Sequence, residues 1–370
     1  MIRVLFVIEN LGGGGAERVL VNLVNAMDKS RFDVTVMTLF DKGVNAGSLD
    51  DSVRLIDVHK LKFKGMKTVT KLLPKRLLYN SYIGGSADND YDIIIPYMTG
   101  VPTTIASGSG LPKIAWIHGE FFEDQRSKYF GLKPIYDRYD CAVGVSEHVR
   151  RSFTRAIGSK LKTLTLYNTN DTARIRRLAE EAVEVGKPEG KVVVSTVGCL
   201  ESTKGYDRLI NAAGKLRDEG RVFEIRIIGE GRDRPALEKR ISDLGLGDTV
   251  KLLGYQTNPY KYVAASDLFV CSSRTEGLST AVSEAVILGK PVVSTDVSGA
   301  REILGGDNEY GLIVESSEDG IYGGLKLFID EPANRDHYAA QAKIRAPFFE
   351  PENTVGAVES LIERVVKKEL

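Results

Sequence analysis

Two carboxylates, Glu276 and Glu284, stand eight residues apart in the stretch "EGLSTAVSE". Acids at such a spacing suit either proton transfer across a cleft or the gripping of hydroxyl pairs, since an ionised carboxylate accepts two hydrogen bonds side by side. The neighbouring residues favour the second use. "DLFVCSS" (267–273) reads as a strand, and Ser279 or Thr280 can N-cap a helix over "AVSEAVILG", with Gly289 as its C-cap and Pro291 beyond. Glu276 then lies in the loop at the strand's carboxyl end, and Glu284 about one turn into the helix, with the backbone N–H groups of 277–281 between them. That arrangement suits two diol receptors flanking an anion. The plainer alternative for Glu284, a solvated helix-face acid, is weakened by its apolar neighbours Val282, Ala285 and Val286.

Two other loops repeat the strand–loop–helix pattern. "NLGGGGAERV" (10–19) places four glycines between a strand and a helix start. Glycine allows a tight turn and close backbone approach, and the helix N-terminus attracts anions. The spacing fits neither a Rossmann fingerprint nor a P-loop, so a flexible turn and a substrate loop both stay open. In "VGCLESTKGYDRLI" (197–210), Lys204 sits where a cation can reach a phosphate, or where a surface lysine would stand.

The elements around these loops alternate throughout. "IRVLFVI" (2–8), "DVTVMTL" (33–39), "DIIIPY" (92–97), "KIAWIH" (113–118), "CAVGVS" (141–146) and "LKTLTLY" (161–167) are strand-like, with a helical apolar stripe in "GAERVLVNLVNAM". After a polar, turn-rich stretch near 168–190 a second series opens at "VVVSTVG" (192–198). With 370 residues, two domains are expected: 1–168, 169–348, and a C-terminal helix (349–370) packing back on the first. Such alternation predicts parallel sheets covered on both faces, with ligands at the strands' carboxyl ends. Net charge is zero, but residues 1–168 hold 23 Lys+Arg against 17 Asp+Glu and the remainder 27 against 33, so the first half suits an anionic partner. Cys141, Cys199 and Cys271 have no CxxC spacing and read as buried thiols in a reducing compartment. The four histidines form no HxxxH, and "DND" (88–90) reads as a surface loop, so no metal or other cofactor is expected. The N-terminal apolar run is of strand length rather than a signal peptide, and no segment is long enough to span a bilayer.

The motifs "GGGGAERV", "VG-L---KG", "RIIGEGRDRPALE" (226–238), "LLGYQTNPYKYVAASDLFVCSS" (252–273), E-x7-E and "GKPVVSTDVSGAREIL" (289–304) come in one order. Together they resemble a retaining glycosyltransferase of family 4, of the type that builds bacterial exopolysaccharide, capsule or O-antigen. The resemblance is strong over 192–315 and poor over 43–110. It implies a GT-B fold, two doubly wound Rossmann-like domains facing across a cleft. It also implies transfer of a hexose or N-acetylhexosamine from a nucleotide-diphosphate sugar, a uridine diphosphate sugar by family habit, to a glycan or polyprenyl-diphosphate-linked sugar. By this likeness Glu284 holds the ribose, Glu276 the donor sugar, and Lys204 the diphosphate. Gly277, Leu278, Ser279 and Thr280 lie against sugar and diphosphate, Tyr255 and Gln256 flank the base, and Gly13, Gly14 and Gly15 pack against the leaving phosphate and acceptor. His118 faces the sugar. The likeness further implies same-face attack without a metal, driven by leaving-group stabilisation and domain closure.

One departure matters. The family's usual Arg five residues before the lysine is Cys199 here. Lys204, helix-start amides and an arginine such as Arg18 or Arg274 would have to carry the phosphate charge, or else the chain is a weak or silent nucleotide-sugar binder. A nucleotide-sugar epimerase on the same fold is the other alternative; it needs acid/base groups, for which only His118 and Glu120 stand out. Finally, residues 59–76 hold seven Lys/Arg, no acid and six interleaved apolar residues. An anionic membrane surface is the expected partner if this run is not simply a solvated face, and nucleic acid is not. The expected location is cytoplasmic, peripheral on the inner face of the cell membrane.

Overall fold

A computed structural model describes residues 1–59, 72–85, 87–122, 129, 131–158 and 160–370. The chain divides into two units, Met1–Asn170 with Pro351–Leu370, and Asp171–Glu350. The basic run at 59–76 falls largely outside the described residues.

In the first unit, β1 (Ile2–Asn10), β2 (Phe32–Asp41), β3 (Arg54–Asp57) and β4 (Ile93–Pro96) form a parallel sheet in the order β3-β2-β1-β4. β5 (Ile114–Ile117), β6 (Cys141–Gly144) and β7 (Lys162–Thr165) extend it in parallel, joined through a bridge between Ile94 and Lys113. Every residue of β4, β5 and β6 is buried, as befits strands covered on both faces. Helix α1 (Gly15–Ala26) buries Val19, Leu20, Leu23 and Val24, the stripe that its 3.6-residue period predicts. Helix α2 (Glu147–Ile157) comes after β6, with the Ser146 hydroxyl accepting from the Val149 N–H as its N-cap.

The second unit is a six-stranded parallel sheet of β8 (Val192–Val197), β9 (Phe223–Ile228), β10 (Val250–Gly254), β11 (Leu268–Cys271), β12 (Val292–Thr295) and β13 (Leu312–Val314), in the order β10-β9-β8-β11-β12-β13. The strand order reverses between β8 and β11, and ligands bind such sheets beyond the carboxyl ends at that reversal. Helix α3 (Tyr206–Asp218) comes after β8 and α4 (Thr280–Ile287) after β11. The fully buried Arg226 on β9 bonds Glu224 at 2.7 Å and donates to the Val185 and Gly186 carbonyls, tying the entering chain to the sheet.

The last helix, α5 (Glu352–Val366), belongs to the first unit and buries Val358, Leu361, Ile362 and Val365. Its Glu359 accepts from the Asp28 N–H at 2.7 Å and from Arg31 Nη1 at 2.8 Å, so this buried carboxylate is paired. Among the described residues no helix is long and apolar enough to cross a membrane.

Candidate active site

β8 and β11 are hydrogen-bonded neighbours, so the loops that leave their carboxyl ends meet. The first loop ends in one 3-10 turn, Ser202–Lys204, and closes on Gly205 at φ +66°. A Cβ there would stand 2.1 Å from the Ser272 carbonyl oxygen, so both the left-handed backbone and the close approach call for glycine. Around it, the Ser272 hydroxyl donates to the Lys204 carbonyl at 2.8 Å and the Arg274 N–H to the Thr203 carbonyl at 2.7 Å. Arg208 Nη2 adds a bond to the Ser272 carbonyl at 2.8 Å.

This scaffold brings two of the expected residues into direct contact. Lys204 Nζ lies 2.7 Å from Glu276 Oε1, and the Ser273 hydroxyl donates to the same oxygen at 2.6 Å. The side chains are 28% and 11% exposed, so the pair is largely withdrawn from water. Burial disfavours the lysine's charge, but the Glu276 carboxylate outweighs it and holds the ammonium's pKa above its ordinary value. Gly277 and Leu278 come next in the loop, and Ser279 occupies the N-cap position of α4. The Ser279 hydroxyl makes no capping bond, so the cap expected at the helix start is one of position only.

Glu284 is half-buried within α4 and accepts at Oε1 from the Tyr260 hydroxyl at 3.0 Å. Tyr260 is itself buried and its N–H donates to Asn258 Oδ1 at 3.1 Å, which fixes the direction from which Glu284 is held. Tyr255 and Gln256 come directly after edge strand β10. Tyr255 is 51% exposed, while Gln256 donates to the Leu253 carbonyl at 2.9 Å and accepts from the Tyr262 hydroxyl at 3.2 Å. Cys199 is exposed, unlike buried Cys141 and Cys271, which corrects the expectation of three buried thiols. Arg274, one of the arginines considered for the missing cation, is paired with Asp207: its guanidinium grips both carboxylate oxygens at 2.7 Å and donates to the Ser202 carbonyl at 2.8 Å.

In the first unit the glycine-rich loop comes after β1. None of residues 12–15 has positive φ, so a special backbone conformation is not the reason for these glycines. At Gly14 a Cβ would stand 2.3 Å from Glu17 Oε2, the end of a side chain that can turn away. Gly14 is the N-cap of α1 without a capping side chain, and the Glu17 carboxyl, folded back over the helix start, has its pKa raised by burial. His118 stands just beyond β5. Its ring lies 4.8 Å from that of Tyr97, which stacks on Trp116 at 4.9 Å. Burial lowers the His118 pKa to about 4, although a hydrogen bond to the Tyr97 backbone works the other way. Nε2 is buried with no partner among the described residues. The other nitrogen therefore carries the proton bonded to Tyr97, and Nε2 is left as an acceptor. Glu120, two residues on, pairs with His148 of α2 at 2.7 Å.

Sequence reasoning missed Ser273, Tyr260 and the Glu120–His148 pair. A hydroxyl three residues ahead of Glu276 was a local signal for Ser273. Tyr260 and His148 are joined to their carboxylates only by the fold. Among the described residues no three His, Cys, Asp or Glu side chains gather in a way that could hold a metal ion.

Comparisons with known proteins agree with this architecture. The family described as glycosyl transferases group 1 matches residues 179–345, and the one described as glycosyltransferase family 4 matches residues 13–174. The chain is 28% identical over 359 residues to the N-acetylgalactosamine-N,N'-diacetylbacillosaminyl-diphospho-undecaprenol 4-alpha-N-acetylgalactosaminyltransferase of Campylobacter jejuni, covering 93% of this chain and 94% of that protein. It is 26% identical over 306 residues to the lipopolysaccharide core biosynthesis glycosyltransferase LpsE of Rhizobium meliloti, covering 82% and 81%. Among solved structures, Anabaena HepE in complex with UDP-glucose superposes with a TM-score of 0.78 at 18% identity, covering 98% of this chain and all of that one. WaaG, a glycosyltransferase involved in lipopolysaccharide biosynthesis, gives 0.74 at 16%, covering 97% and 99%. With one family matched in each unit and relatives of this kind along nearly its whole length, the chain belongs to the family 4 glycosyltransferases of GT-B fold.

Proposed function

We propose that this glycosyltransferase moves a hexose or N-acetylhexosamine, with retention of anomeric configuration, from a uridine diphosphate sugar to a glycan or polyprenyl-diphosphate-linked sugar in surface polysaccharide synthesis. The Lys204–Glu276 pair at the β8/β11 reversal carries the reading, because it sets a cation for phosphate beside a carboxylate for sugar hydroxyls. The Campylobacter relative's name describes a lipid-diphosphate-linked acceptor, and HepE was solved with UDP-glucose, which supports the choice of partners.

In this reading Glu284, held by Tyr260, takes the ribose hydroxyls, while Tyr255 and Gln256 border the base. Lys204 and the Gly277–Thr280 backbone take the diphosphate, and Glu276 takes the sugar. His118, kept neutral, accepts a sugar hydroxyl at Nε2, and Gly13–Gly15 lie against the leaving phosphate and acceptor. The acceptor oxygen bonds to the anomeric carbon on the face from which the diphosphate leaves. The bond from that carbon to the phosphate oxygen breaks, and the departing oxygen takes the acceptor's proton. Charge then grows on the diphosphate, where a pre-placed ammonium is most effective. No metal is needed for this. Cys199 leaves the site with less positive charge than the family pattern provides, which favours a slow enzyme as the second reading.

Residues 59–76 would lie on anionic lipid at the inner face of the cell membrane. Of their described part, Leu72 and Leu73 are 82% and 39% exposed beside Lys75 and Arg76, with Leu77 60% exposed just beyond, a mixture suited to a lipid interface.

Three outcomes are expected. Lys204→Met and Glu276→Gln should each lower transfer by about 100-fold or more, the usual worth of a group that stabilises developing charge or orients substrate, with no effect of a chelator on the wild type. Near-wild-type turnover in either variant contradicts the assignment. The His118 ring should stay neutral from pH 8 to 5 by NMR. Because its folded pKa lies below its unfolded one, its contribution to stability is complete above about 6.5 and declines as pH falls toward 4; a midpoint near 6.5 contradicts the burial argument. Vesicles rich in anionic lipid should sediment the protein, and replacing the lysines of 59–76 should abolish this; sedimentation indifferent to lipid charge rules the surface out.

A further inference from the structure

We infer that the Lys204–Glu276 pair makes the site discriminate between a nucleoside-diphosphate sugar and the bare nucleoside diphosphate, holding the donor more tightly than the product. The inference rests on the proposed transferase function and adds a consequence of the closed pair. Lys204 Nζ and the Ser273 hydroxyl both bond Glu276 Oε1, at 2.7 and 2.6 Å. The space enclosed by Lys204, Tyr206, Ser273, Glu276 and Ser279 is about 10 Å3, too small for a phosphate. A diphosphate bound at Lys204, whose side chain is 28% exposed, therefore competes with Glu276 for the same ammonium.

The cost of that movement depends on whether a sugar is attached. Glu276 is 11% exposed, and a largely buried carboxylate deprived of its cation is costly unless other donors replace it. A donor sugar brings hydroxyls that donate to the carboxylate as the ammonium leaves. The bare diphosphate brings none, so its gain at Lys204 is set against an uncompensated acid, with Ser273 as the hydroxyl retained at Oε1. Once the sugar has passed to the acceptor, Glu276 recaptures Lys204 and the diphosphate loses its cation. Product release is in this way built into the same contact that binds the donor.

Calorimetric titration of UDP and of a UDP-sugar into wild type, Glu276→Gln, Lys204→Met and the double variant tests this. Glu276→Gln should bind UDP about tenfold more tightly than wild type, in the range measured for pairs between surface and interior, and bind the UDP-sugar no more tightly. In the Lys204→Met background the Gln substitution should leave UDP affinity unchanged, because the gain comes through the released lysine. Glu276→Ala repeats the measurement should the Gln form not fold. UDP affinity that is unchanged or weaker in Glu276→Gln overturns the inference. So does a gain that persists without Lys204, which would be simple removal of negative charge. Loss of transfer without a gain in UDP affinity leaves the functional reading standing and this inference refuted. Undiminished transfer by Glu276→Gln refutes the reading itself, and absence of UDP binding in every form refutes both.

Discussion

The contact between Lys204 and Glu276 is the constraint on which the second unit's chemistry hangs. It unites residues 72 positions apart, and it exists because β8 and β11 are adjacent where the strand order reverses. A parallel sheet sends every strand's exit loop to one edge, so a lysine after one central strand and an acid after the other meet there. Gly205, Ser272 and Arg208 then lock the two loops at backbone level. Such a contact keeps the ammonium and the carboxylate together at the carboxyl ends of the strands, where parallel sheets of this kind bind ligands.

Polar side chains around this pair are mostly committed to one another. Arg274 is spent on Asp207, Gln256 on its neighbours, and one oxygen of Glu284 on Tyr260. The first unit offers a contrasting group. His118 is a neutral ring with its Tyr97 hydrogen bond on one side and, among the described residues, an unpartnered buried nitrogen on the other. Burial there disfavours a protonated histidine. In the proposed function that nitrogen accepts a hydrogen bond from a hydroxyl. Cys199 is the place where the pattern is thin, since an exposed thiol stands where the family pattern has a cation and Arg274 is paired with Asp207.

Much of this was legible in the sequence, for physical reasons. Strands and helices announced themselves because doubly covered sheets need continuous apolar runs and their helices need a 3.6-residue stripe. The placement of Glu276 in a loop and Glu284 inside a helix came from local start and stop signals around Ser279 and Gly289. What local signals cannot give is the partner across the fold. That Lys204 closes on Glu276, that Tyr260 reaches Glu284, and that Arg274 turns to Asp207 depend on strand order and loop crossing. The glycine-rich loop differs from expectation in another way. Sequence credits its glycines with unusual backbone angles, whereas none of residues 12–15 has positive φ.

The central claim is that one contact, the Lys204–Glu276 pair, is exchanged for a sugar and a diphosphate when the donor binds. A crystal structure of the protein with a non-transferable UDP-sugar analogue measures this directly. The account predicts Lys204 Nζ against the diphosphate oxygens, Glu276 against sugar hydroxyls, and the 2.7 Å contact between them opened. An intact Lys204–Glu276 pair with the analogue bound elsewhere in the second unit would contradict it.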